Sequence, residues 1–200
     1  MRGKFMTLPL VAAAAAVLML GGCNTQSTSR AEPTYEDASV SRNTFMATNY
    51  NAVDELMQRF RAVLATSNHG IGTGGPFIVA TLVNIDKLDQ SSTLGRVISE
   101  QVNSRLVQLG YGAVELKISN SVFMKRNEGE FMLTREIQDI ASAHNAQAVI
   151  VGTYAESADF VYVSLKVVNP ANSNILAAHD YALPIDRQIR RMTSGGARRF

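Results

Sequence analysis

Ala148-Val149-Ile150-Val151-Gly152-Thr153-Tyr154 is the most apolar strand-like run in this 200-residue chain. A continuous apolar run rich in β-branched residues suits a strand covered on both faces, which is the condition at the middle of a parallel sheet. Upstream, Phe77-Ile78-Val79-Ala80-Thr81-Leu82-Val83 has the same character, and a first strand is expected over Phe77 to Ile85. Ala113 to Ile118 reads as a second strand, with Val114, Leu116 and Ile118 on one face. The central run is then the third. Downstream the pattern changes to alternation: Val161, Val163, Leu165 and Val167 point one way, Tyr162, Ser164, Lys166 and Val168 the other. That is a fourth strand with unequally buried faces. Asn169-Pro170-Ala171-Asn172-Ser173-Asn174 is turn chemistry. Ile175 to Tyr181 returns as the fifth strand, its hairpin partner.

Helical periodicity precedes each of the first three strands. Tyr50 to Ala65 places Val53, Leu56, Met57, Phe60, Val63 and Leu64 on one stripe, with Asn49 or Asn51 at its start. Ser91 or Ser92 caps a second helix whose stripe is Leu94, Val97, Ile98, Val102, Leu106 and Leu109, ended by Gly110. Thr134 caps a third, running to His144, with Ile137, Ile140 and Ala141 inward. Strands separated by helices pair in parallel through right-handed crossovers. The expectation is a single α/β domain with a mixed five-stranded sheet and flanking helices. The strand order is 2-1-3-4-5, and strand 4 runs antiparallel to its neighbours.

The amino terminus is of another kind. Arg2 and Lys4 precede an apolar run from Leu8 to Leu20, then Leu20-Gly21-Gly22-Cys23. Charged, apolar, then small residues is the order of a secretory signal, and the run is shorter than the ~20 residues of a membrane span. A Leu three positions before the chain's sole cysteine, with small residues between, is a bacterial lipoprotein box. Small side chains admit the peptidase, and the thiol carries a thioether-linked diacylglycerol. Ordinary signal cleavage beside an incidental Cys is the competing reading. Asn24 in place of Asp points to the outer membrane. The divisions expected are a signal peptide over 1–22, a lipidated flexible tether over 23–48, the α/β domain over 49–185 and a basic tail over 186–200. The tether is Ser/Thr-rich and short of aliphatic residues.

Net charge is close to balanced, but Arg187, Arg190, Arg191, Arg198 and Arg199 all follow Pro184, against Asp186 alone. The body is therefore mildly acidic, which gives no electrostatic footprint for nucleic acid. The three histidines, His69, His144 and His179, lack a second His or Cys at metal spacing. The serines lack a nucleophile elbow. The glycines from Gly70 to Gly75 follow a helix and precede a strand, the reverse of a phosphate-binding fingerprint. Glu128 and Glu130 flank Gly129 as an exposed turn would, without a partner to set one pKa apart. Asp86 and Asp89 precede a helix start, where the dipole alone favours acids. No catalytic or metal residues are expected, and no cofactor beyond the lipid at Cys23. Glu128, Glu130, His179, Asp180, Arg190 and Arg191 are the candidates for contact with partners. His179 and Asp180 sit on the last strand, expected to be an edge. The acidic turn complements another subunit's arginine-rich tail in a head-to-tail contact.

Four motifs carry a resemblance: Gly75-Pro76-Phe77-Ile78-Val79, Ser91-Ser92-Thr93-Leu94-Gly95-Arg96, Glu128-Gly129-Glu130-Phe131-Met132-Leu133-Thr134-Arg135 and Val151-Gly152-Thr153-Tyr154. In this order and spacing they resemble the FlgO family of flagellar outer-membrane lipoproteins, from about Tyr50 to Pro184. A wider likeness is to CsgG-like and TolB amino-terminal domains, an anticodon-binding-like plan. The resemblance implies a non-enzymatic part in motility, as an anchored component of rings around the flagellar basal body. It implies a homo-oligomer, other ring proteins as partners, and a periplasmic domain. The alternative is an envelope module that binds peptidoglycan or another ligand and has no part in motility.

Overall fold

The computed structural model describes residues 35–66, 74–88, 90–116, 135–194 and 198–199. In chain order these form α1 (Tyr35–Thr66), β1 (Phe77–Ala80), β2 (Val83–Asn84), β3 (Gln90–Ser91), α2 (Thr93–Gln108), β4 (Ala113–Leu116) and α3 (Arg135–Ala143). There follow β5 (Ala148–Glu156), β6 (Phe160–Val168), β7 (Ile175–Pro184), α4 (Arg187–Ser194) and β8 (Arg198–Arg199). Residues 34–200 make one compact unit.

Both faces of β5 are dry, as its composition demands. Ala148, Ile150 and Tyr154 join one core, with α1 and α2, while Val149 and Val151 join a second, with Ile137 and Ala141 of α3. The main sheet runs β4-β1-β5-β6-β7, and β2 also pairs with β5. β4, β1 and β5 are parallel; β6 is antiparallel to both its neighbours. In the numbering of expected strands this is 2-1-3-4-5, the order derived from the crossover rule.

Helix α2 begins where a cap was expected, since Ser92 Oγ accepts from the Gly95 amide at 3.1 Å. It ends at Gly110, whose φ of 85° lies in the left-handed region. Two close approaches need the absence of a side chain. A Cβ on Gly75 would stand 2.1 Å from the Asn145 carbonyl oxygen, and one on Gly152 would stand 2.6 Å from Leu82 Cγ.

Three boundaries differ from the sequence reading. Helix α1 starts at Tyr35, so the tether expected to reach residue 48 is helical from 35 on. Its added turns are anchored by Phe45 and Asn49, both buried. They extend the stripe of Ala52, Val53 and Leu56 by steps of three and four, with one aromatic and one polar residue where aliphatics were sought. The first strand divides at Thr81-Leu82. There the Leu82 amide donates to Ser99 Oγ of α2 at 2.9 Å and its side chain turns fully into the core. The third helix is described from Arg135, so its expected cap, Thr134, lies outside the described residues. The expected tail folds: Arg187–Ser194 is helical, Asp186 Oδ1 accepts from the Ile189 amide at 2.7 Å, and Ile189 is buried. Beyond it, Arg198–Arg199 pairs with Gln90–Ser91. Ile189, with Met192 half-buried beside it, seats the helix among three arginines, and the charge count concealed it.

Candidate interaction surface

Helices α1, α2 and α4 pack on one face of the sheet, and α3 on the other. Nine residues of α3 reach over Ile78, Ala80, Val149, Val151 and Val168. At about 1.5 Å per residue that helix is too short to span the sheet. Among the described residues nothing covers the same face of β6 and β7 near the β5–β6 turn.

That turn is closed by Ser157, whose amide and hydroxyl both donate to the Phe160 carbonyl at 2.8 Å, while the Phe160 amide donates to Ser157 Oγ at 3.0 Å. It fixes the pleat so that Phe160 and Tyr162 emerge together on the uncovered face. Their ring centroids are 6.4 Å apart and tilted by 40°. Phe160 is 42% exposed, Tyr162 55%, and Ile85, held by its amide to the Tyr154 carbonyl at 2.9 Å, 51%. Scattered exposed apolar residues need no explanation; here, Ile85 and Tyr162 converge on one hollow of about 390 Å³, shared with Thr153, Ser164, Asp180 and Ala182. Strand β7, ten residues long, borders it and is an edge of the sheet among the described residues.

The two faces of β7 separate the pair of candidates that sequence placed there. Asp180 lies opposite Ser164 on the uncovered face and is exposed. His179, opposite Leu165, lies on the helix-covered face, half-buried and stacked on Tyr181 at 6.2 Å. Burial raises the Tyr181 hydroxyl pKa well above the ordinary tyrosine range. That hydroxyl donates to Asn49 Oδ1 at 2.7 Å, and Asn49 Nδ2 donates to Gln101 Oε1 at 2.5 Å. The chain of bonds ties α1 to β7 and α2. Arg190 and Arg191 are exposed on α4. Cys23, His69, Asp89, Glu128 and Glu130 lie outside the described residues. Asp86 caps nothing: its amide donates to Asn84 Oδ1 at 2.8 Å and its side chain is exposed.

Sequence reasoning passed over Phe160, Tyr162 and Ile85. Alternation had marked Tyr162 as facing away from the core, and the signal lay in its being aromatic at a position where Ser164 and Lys166 set the norm. Ile85 is the last residue of the expected first strand, and the break at Leu82 divides that strand before it.

The likeness to solved structures is weak. The C-terminal domain of LpoB from Salmonella enterica is 13% identical, with 65% of this chain and 96% of that chain covered, at a TM-score of 0.40. LpoB of Escherichia coli is 14% identical, with coverage of 90% and 86% and a TM-score of 0.41. The PelC dodecamer from Paraburkholderia phytofirmans is 14% identical, with coverage of 64% and 87% and a TM-score of 0.40. No curated protein matches. The family described as FlgO protein matches residues 50–188, which takes in every element from the body of α1 to the first turn of α4. By that match over more than half its length, the chain belongs to the FlgO family.

Proposed function

We propose that this protein is a non-enzymatic outer-membrane lipoprotein, anchored through Cys23, that serves flagellar motility as an assembly component of rings around the basal body. Family membership supports the process. The observation that carries the mode of action is the uncovered face of β6 and β7. Ile85, Phe160 and Tyr162 are exposed there beside a strand that is an edge among the described residues. Exposed apolar residues gathered at an unpaired edge suit a protein contact, in which the aromatics supply most of the binding energy. A clean deletion of the gene, scored for swimming and for filament number, tests the reading. Swimming falls on deletion and returns with the intact gene; normal swimming by the deletion strain overturns the motility role.

One feature favours a second reading, an envelope module that binds peptidoglycan. Tyr162 stands beside Ser164 and Asp180 in the hollow, so a ring face and hydrogen-bonding groups meet as saccharides require. Capture of the protein by purified sacculi, lost in Tyr162→Ala, with swimming intact in the deletion strain, is the outcome that selects it.

A further inference from the structure

The exposed arginines of α4 take no part in the uncovered face of β6 and β7. Arg187, Arg190 and Arg191 all reach solvent, while Ile189 and, in part, Met192 hold the opposite side of the helix to the core. No ion pair among the described residues engages any of the three, whereas Arg59 pairs with Glu55 and Arg105 with Asp54. The one acid in the segment, Asp186, is committed at its Oδ1 to capping the helix. Glu156 and Asp159, the acids of the β5–β6 turn, are exposed and pair with none of them. The result is a seated helix whose outward charge is positive and unpaired among the described residues.

Its place in the fold indicates the partner. Helix α1 runs antiparallel to β7: Asn49 meets Tyr181 near the carboxyl end of the strand, and Val63 shares a surface hollow with Ile175 and Leu176 at the other end. The amino end of α1, from which the chain runs back toward Cys23, therefore lies at the end of the sheet where β7 finishes. Helix α4 starts at that same end, three residues past Pro184. The Ile185 amide there donates to the Asp159 carbonyl at 2.7 Å.

We propose that the arginine face of α4 docks on an anionic bilayer surface, with Arg187, Arg190 and Arg191 engaging lipid phosphates. It would hold the domain close against the membrane to which Cys23 tethers it. The choice of a bilayer rests on the anchor reading of Cys23. Guanidinium groups bind phosphates through paired hydrogen bonds, and each basic residue near a charged bilayer adds attraction that falls off within a Debye length. Ile189 is buried, so the helix lies on the headgroups and does not insert.

The test uses the chain from Asn24 to Phe200, free of signal and lipid, floated with phosphatidylglycerol vesicles and with pure phosphatidylcholine vesicles. The parent chain binds the first and not the second. Salt of roughly 0.5 M, where screening is within several ångströms, releases it. Arg187→Gln, Arg190→Gln and Arg191→Gln together weaken binding on the order of 100-fold. Circular dichroism and urea unfolding confirm that the triple variant is folded, and Arg59→Gln serves as a control that leaves binding unchanged. Equal flotation with neutral vesicles, no flotation with either, or full binding by the triple variant overturns the proposal. So does arginine-dependent capture by sacculi without binding to vesicles, which would make the partner a glycan polymer. Failure of the anchor reading is seen separately, as release of Cys23→Ser from the membrane fraction being absent in cells.

Discussion

Asn49 is fully buried in α1, and its amide is satisfied on both sides, by the Tyr181 hydroxyl and by Gln101. A buried polar group is tolerated only when its partners are all present, so the three residues act as a gauge of how α1 sits. Asn49→Ala strands two partners and should cost about 2–3 kcal/mol by urea unfolding. Tyr181→Phe removes one bond and should cost about 1–2 kcal/mol. The pH dependence follows from the sign of the Tyr181 shift. Its folded-state pKa lies above the unfolded value of about 10, so its contribution is complete below that pH and declines above it. Alkaline titration of stability should therefore be shallower in Tyr181→Phe than in the parent, with the part owed to Tyr154, also raised by burial, retained. Gly75→Ala meets a backbone carbonyl that cannot rotate away, and a loss of several kcal/mol, or failure to fold, is expected.

Elements whose residues repeat a single physical type were legible in the sequence. The Val and Ile of β5, the even alternation of β6 and the aliphatic stripe of α2 each state one burial pattern, and strand order followed from the handedness of crossovers. Elements held by single anchors were not. Phe45 and Asn49 extend α1 with a stripe too mixed to register, and Ile189 is the one buried residue that seats α4, with Met192 half-buried beside it. Phe45→Ala distinguishes the two accounts of the segment before residue 48. A packed helix loses about 3 kcal/mol, whereas a solvated tether would lose less than about 0.5 kcal/mol, both measurable as a shift in urea midpoint. The contact surface was legible only in part. Asp180 and His179 both lie on β7, and the register sets them on opposite faces, which adjacent positions in a strand dictate. Phe160, Tyr162 and Ile85 became a cluster only once the break at Leu82 and the Ser157 turn had set their directions.

At the scale of the whole molecule the domain is asymmetric. Among the described residues, three helices shield one face of the sheet, while α3 shields only part of the other, leaving aromatics and an edge strand exposed at the end where α4 displays its arginines. A lone globular domain has no use for such a face, and its retention is coherent if a neighbouring protein covers it. The face lies outside the core, so substitutions there alter contacts without unfolding the domain: Tyr162→Glu with Phe160→Ser should change stability by less than about 1 kcal/mol. The direct measurement is the swimming of a deletion strain that carries this double variant at the abundance of the intact protein. An assembly role through the uncovered face predicts that swimming is not restored, although the protein accumulates and is folded. Restoration to the level of the intact gene would contradict it.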